Sequence, residues 1–353
     1  MKSMSITEYY VTGHTADGIV YLLTDNIADV KKIIVLKHPS KLWKTAVLTA
    51  YREAANHEEL EWLSSRYGRA FCEGVINLTQ SIAILTEEAL PEQYDFSVQE
   101  IDLVTAYHLP VFETDYLENG LSQNVTEACQ YLKKGLQIHD DLEQIYVNEI
   151  QTARADKLAR ELAEDILKDV HVSEKDSIVK RRMFGTNTPE GAINSVSDLV
   201  ENLKTVYMLH GRAGTGKSTL MRHVTNECLK KGLNLELYHC SFDPNSIDMV
   251  RVPELSVAVF DATSPHAFSP WKTGQYVIDT YEAFVNEGTD EKYQQEIEYV
   301  ASMYKRFIKK GMTSLQRVGD IIEKQEEPYK LEYHAYESQL ANVAYQLVEV
   351  PLQ

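Results

Sequence analysis

The sequence predicts an α/β chain made of two tandem copies of one unit. Each copy is expected to be a three-layer α/β/α domain with a mostly parallel sheet and a helical tail. Three observations carry this. A passage near the start recurs later without a gap, so that Gly18 falls on Gly191 and Lys44 on Lys217, both 173 positions apart. Short apolar runs alternate with amphipathic helical stretches in both passages. In the second passage a glycine-rich turn stands between such a run and such a helix.

Taken in order, the first copy reads as an edge strand near Tyr9-Tyr10-Val11, a helical stretch to about Val30, and the strand Ile33-Ile34-Val35-Leu36. A loop and a helix follow. Leu60-Glu61-Trp62-Leu63 then matches Leu235-Glu236-Leu237-Tyr238, and Ile82-Ala83-Ile84-Leu85 matches Val257-Ala258-Val259-Phe260, both at a spacing of 175. An irregular segment is expected between these strands. From Val125 to about Val170 apolar residues recur at threes and fours with no proline, which predicts a helical hairpin packed on the sheet or on the other copy. Lys133-Lys134-Gly135 falls on Lys309-Lys310-Gly311 at 176. The domains are therefore placed at 1–172 and 173–353, docked rather than tethered, because the join at 171–177 contains neither proline nor glycine.

Composition narrows the function. The chain has 353 residues, 44% hydrophobic and 25% charged, with 35 Lys and Arg against 53 Asp and Glu, a net charge of −18. Such acidity argues against an extended nucleic-acid or anionic-membrane surface. The four cysteines, Cys72, Cys129, Cys228 and Cys240, lack metal-ligand spacing and are expected to be reduced thiols. No signal core and no long apolar segment is seen, so a cytoplasmic location is expected.

The chemistry is expected at Gly211-Arg212-Ala213-Gly214-Thr215-Gly216-Lys217-Ser218-Thr219. This fits G-x-x-x-x-G-K-[ST], preceded by the apolar run Val206-Tyr207-Met208-Leu209 and followed by a helix, and it resembles the Walker A loop of P-loop NTPases. The resemblance implies that the loop cradles the phosphates of ATP, that Lys217 reaches the β- and γ-oxygens, and that Ser218 holds Mg²⁺. Asp261 closes the run Val257–Phe260 and resembles the Walker B acid, a second metal residue. Asp243, absent from copy one where Gly68 stands, is a candidate base, with turn capping as its alternative. His266 is a candidate γ-phosphate sensor.

Copy one keeps Lys44 but replaces Gly211, Gly214 and Gly216 by His38, Lys41 and Trp43, and Asp261 by Thr86. Holding non-glycine residues at positive φ costs about 1–2 kcal/mol each, so a strained loop that binds triphosphate poorly is expected there. The loop, the segment Tyr238-His239-Cys240-Ser241-Phe242-Asp243-Pro244-Asn245-Ser246-Ile247-Asp248 and the segment Asp261-Ala262-Thr263-Ser264-Pro265-His266 together resemble a family of bacterial tandem P-loop ATPases with no established substrate. They imply an ATPase at copy two and a scaffold at copy one. A nucleotide-dependent switch and a small-molecule kinase remain as alternatives, with Arg212, Arg251, Arg66 or Arg69 as candidate sources of transition-state charge.

Overall fold

Side chains on alternate strand positions point to opposite faces, so each apolar run here feeds two cores at once. In the computed structural model, which describes residues 6–113, 118–173, 175–263 and 268–349, the first copy contains β1 (Thr7–Tyr9), β2 (Thr12–Thr15), β3 (Gly18–Tyr21), β4 (Lys32–Lys37), β5 (Leu60–Ser64), β6 (Cys72–Asn77), β7 (Ile82–Thr86) and β8 (Gln99–Asp102). Its helices are α1 (Lys41–Ala54), α2 (Leu103–Tyr107), α3 (Glu118–Val147) and α4 (Thr152–Leu167). The second copy contains β9 (Val179–Arg182), β10 (Gly185–Thr188), β11 (Gly191–Asn194), β12 (Thr205–His210), β13 (Leu235–His239), β14 (Ile247–Val252), β15 (Val257–Asp261) and β16 (Gln275–Asp279). With it come α5 (Val196–Glu201), α6 (Lys217–Lys230), α7 (Thr280–Phe284), α8 (Thr289–Lys292) and α9 (Gln294–Val348).

The two six-stranded sheets have the orders β1-β5-β6-β7-β4-β8 and β9-β13-β14-β15-β12-β16, the same order with every index raised by eight. Each is parallel apart from one strand, β6 or β14, which runs antiparallel to both neighbours. The hairpins β2–β3 and β10–β11 join in one four-stranded sheet between the copies. Equivalent residues meet there: Tyr10 and Met183 exchange backbone hydrogen bonds of 2.9 Å, and His14 pairs with Asn187. Both pairs are 173 apart, so the copies face each other about a pseudo-two-fold axis.

Two expectations change. The stretch expected to be helical after Asp17 is the second hairpin strand and a 3₁₀ turn at Thr24–Asn26; in copy two it is β11 and the six-residue α5. The segment expected to be irregular before Val257 is β14. The layering differs as well. Val35, Ile76 and Leu85 of one sheet share a single buried core with Met208, Met249 and Phe260 of the other and with Val196, Leu199 and Val200 of α5. Among the described residues no full helical layer covers the inner faces, because each sheet and its short flanking segments bury the other's.

The outer faces carry the long helices, and the tails cross. Trp43, Val47 and Leu48 of α1 pack with Tyr329, Leu340 and Val343 of α9, whereas Leu220, Met221 and Val224 of α6 pack with Leu162 and Ile166 of α4. Thus α4 lies before residue 172 in the chain yet covers copy two. Antiparallel contact between α3 and the first half of α9 carries the crossing, with Gly120 near Ile321, Gly135 near Ile308 and Gly311 near Leu132. The expected hairpin is replaced by two helices serving different neighbours. Where α3 and α4 break at 148–151, α9 runs on with Pro328 inside, at the position 176 beyond Thr152.

Candidate functional site

In an open α/β sheet ligands bind where the strand order reverses, at the carboxyl ends of the strands. β12 lies at that point in copy two, bonded on one side to β15 and on the other to β16. The chain leaves it through Gly211, Gly214 and Gly216, which sit at φ +150°, +75° and +87°, conformations open to glycine. Gly216 caps α6. A Cβ on Gly211 would stand 2.3 Å from Thr280 Oγ1, and one on Gly214 2.3 Å from the Glu143 carbonyl oxygen on α3. The loop is therefore closed by side-chain hydroxyls beneath and by the tail of copy one above.

Thr215 Oγ1 donates to the Arg212 carbonyl and pairs with Thr280 Oγ1, fixing the turn. Buried Lys217 donates to the carbonyls of Arg212 at 2.7 Å and Gly211 at 3.3 Å, and its Nζ lies 3.6 Å from Asp261. Ser218 Oγ meets Ser246 Oγ at 2.8 Å. Asp261 is half-buried at the end of β15, where one carboxyl oxygen accepts from Thr263 N. Ala213 and Thr219 border the loop at intermediate and exposed positions. The structure thus brings together Lys217, Ser218, Asp261 and the three glycines.

The remaining expected residues are placed differently. Asp243 Oδ1 accepts from the backbone and side-chain amides of Asn245, so it closes its own turn. His266 lies outside the described residues. Arg212 is held by Asp290 at 2.6 Å over the Tyr281 ring, Arg251 by Glu236 at 2.6 Å, and Arg66 by Glu73 at 3.2 Å. Each of these three is paired with a carboxylate. Arg69 binds Glu190 through its backbone N–H.

Copy one does not keep a strained loop. Lacking glycine, residues 41–43, which match 214–216, wind into the first turn of α1, capped by Ser40. The new helix N-terminus is filled from within. Glu326 of α9 accepts from Ser40 Oγ at 2.6 Å, Lys41 N at 2.7 Å and Leu42 N at 3.3 Å. A carboxylate thus takes the place at which a helix N-terminus would hold an anion. Trp43 is fully buried among His38, Tyr329 and Tyr336, its indole N–H donating to the Tyr329 carbonyl. Lys44 is spent on Glu88 at 2.8 Å and Glu87 at 3.0 Å. Burial alone would raise the Glu88 carboxyl, but the charges of Lys44 and Lys41 outweigh it and hold it well below the usual range.

Comparison with known proteins adds no name: no family model, no curated protein and no solved structure matches the chain. The two copies are each other's comparison.

One acid that was not among the expected site residues lies beside Asp261. Asp248 is 8% exposed on β14. The register Met249↔Phe260 puts it one step on, directly across from Asp261 and on the same face. Burial and the Asp261 charge push its carboxyl up to about 8. The sequence signal for it is the acid at the matching place in copy one, Glu73, 175 positions earlier.

Proposed function

We propose that copy two binds ATP with Mg²⁺ and hydrolyses it or passes its γ-phosphoryl group to a small acceptor, while copy one serves as scaffold. The observation that supports this most is the contrast at one position of the fold. Copy two keeps a left-handed glycine loop with Lys217 3.6 Å from Asp261, where copy one has a helix turn filled by Glu326. Backbone N–H groups at the start of α6 suit an anion, and Lys217, now resting on two loop carbonyls, is the charge that would turn to the β- and γ-oxygens. The hydroxyl of Ser218 and the carboxylate of Asp261 are hard oxygen donors of the kind Mg²⁺ takes. When bound, the ion would neutralise charge on the phosphoryl oxygens. Thr263 N–H fixes the Asp261 carboxyl, and the hydroxyl of Thr263 holds the Gly211 carbonyl at 3.1 Å, tying the acid to the loop.

A switch is the second reading, favoured by how the loop touches both tails. Gly214 backs onto Glu143 of α3, and Arg212 grips Asp290 at the root of α9, whose far half fills copy one. The residue after Asp261 is Ala262 rather than an acid that could activate water. Incubating the protein with γ-labelled ATP and a metabolite extract separates these outcomes. Label in free phosphate supports hydrolysis, label in a small product supports a kinase, and retained intact ATP supports the switch. No bound nucleotide at all would overturn the proposal.

A further inference from the structure

Glu73 and Asp248 occupy the same place in the two copies, 175 positions apart, but have opposite surroundings. Glu73 is buried and accepts from three side chains, Thr12 Oγ1 at 2.6 Å, Ser65 Oγ at 3.1 Å and the Arg66 guanidinium at 3.2 Å, and from the Arg66 backbone N–H at 3.2 Å. The matching residues in copy two are Gly185, Cys240 and Ser241. The Thr12 hydroxyl and the Arg66 guanidinium have gone, and the Cys240 thiol stands where the Ser65 hydroxyl was. Asp248 keeps the Cys240 thiol, and among the described residues no Lys, Arg or His lies within ion-pair distance of it.

A buried carboxylate without a cation is costly, and here a second carboxylate, Asp261, lies opposite on the neighbouring strand. Lys217 lies 3.6 Å from Asp261 and donates to the Gly211 and Arg212 carbonyls, and it makes no ion pair with Asp248. Aspartate is also one methylene shorter than the glutamate of copy one. Its carboxylate is drawn back from the place where Arg66 enters in that copy. Two acids, the hydroxyls of Ser218 and Ser246 at 2.8 Å from each other, and a missing positive charge describe a site for a hard dication.

We propose that Asp248, Asp261 and Ser218 form a divalent-cation site that fills before nucleotide arrives, with Asp248 as its second carboxylate ligand. The inference extends the nucleotide site proposed above, yet it needs no nucleotide. In copy one the Arg66 guanidinium stands in for the cation, so that copy is closed to metal as well as to phosphate.

The test uses the nucleotide-free full chain and Mn²⁺ alone, with free Mn²⁺ followed by electron paramagnetic resonance. The wild-type chain is expected to take up one Mn²⁺, and its thermal midpoint is expected to rise with the metal. Asp248→Asn is expected to weaken uptake by at least about tenfold and to lose the metal-dependent rise, while folding as stably as wild type without metal. Ser241→Arg, which restores the guanidinium found in copy one, is expected to expel Mn²⁺ from an intact fold. Failure of the wild-type chain to take up Mn²⁺ overturns the inference, as does unchanged uptake in both variants. ATP binding is measured separately by calorimetry. Loss of ATP binding with Mn²⁺ uptake intact sinks the nucleotide reading and leaves the cation site standing.

Discussion

The turn at 38–43 and the turn at 211–216 leave equivalent strands and enter equivalent helices, yet one is wound shut and the other is held open. Glycine decides the difference. At Gly214 and Gly216 the backbone takes φ of +75° and +87°, which keeps the last turn before Lys217 out of the helix. With Lys41 and Trp43 at those places the left-handed shape would cost about 1–2 kcal/mol per residue. The chain takes the cheaper course and extends α1 backward by one turn. That exposes helix N–H groups in a buried place, and Glu326 answers them. Where the glycine turn is missing, the helix N-terminus becomes a docking point for a tail.

The largest expected effect that sharpens this comparison comes from Glu326→Ala. It strands the buried Ser40 hydroxyl, at about 1–3 kcal/mol for a buried group left unmet, and the N–H groups of half-buried Lys41 and Leu42, which water can reach at a smaller cost. Chemical denaturation is expected to show a loss of about 2–4 kcal/mol with the copy-two loop unaffected. A loss of nucleotide binding larger than the loss of stability would show that the plug does more than close copy one.

Next in size is Gly214→Ala. The new Cβ meets the Glu143 carbonyl at 2.3 Å and the residue stays at positive φ, so both contact and strain oppose it. About 2–3 kcal/mol of destabilisation is expected, read as a lower thermal midpoint and as faster hydrogen exchange at the end of α3. Lys41→Gly in copy one, which removes a side chain from the first turn of a helix, is expected to cost no more than about 1 kcal/mol. Equal costs at the two positions would break the comparison.

The smallest effect at neutral pH concerns the axis itself. His14 is buried against the Tyr67 ring, its Nδ1 facing the Asn187 carbonyl, and burial together with the nearby Arg66 charge lowers it to about 3 from the ordinary 6.5. The unfolded chain takes up its proton near pH 6.5 and the folded chain only near pH 3. Stability contributed here is therefore complete above about 6.5 and is lost as pH falls toward about 3. His14→Asn, which copies Asn187, is expected to flatten this acid slope in thermal melts. An unchanged slope would remove His14 as its source.

Much of the fold is legible in sequence where the signal is local. The apolar runs of β4, β7, β12 and β15 and the glycines at 211, 214 and 216 announce themselves. The hairpin strand Thr12–Thr15 does not, since its partner across the axis is Asn187 of the other copy. Crossing of the tails is equally silent, because the apolar spacing of α4 fits a helix packed on either sheet. Glu326 lies 282 positions beyond Lys44 on an amphipathic helix whose other acids face water, so nothing nearby marks it as a plug. Asp248 is marked in sequence only by its acidic match, Glu73, and its place opposite Asp261 follows once β14 is known to run antiparallel beside β15. Asp243 shows the reverse case: its loss from copy one is real, but the turn formed with Asn245 uses its carboxylate.

The central claim is that one position of the fold is open to a triphosphate in copy two and closed in copy one. Titration calorimetry with ATP and Mg²⁺ tests it most directly, on the wild-type chain, Lys217→Ala, Lys44→Ala and the neutral pair Lys44→Met with Glu88→Gln, which avoids leaving Glu88 buried without its cation. One nucleotide per chain is predicted for wild type, abolished by Lys217→Ala and nearly unchanged in both copy-one variants. Two nucleotides per chain, or binding that survives Lys217→Ala and is lost with the neutral pair, would contradict it.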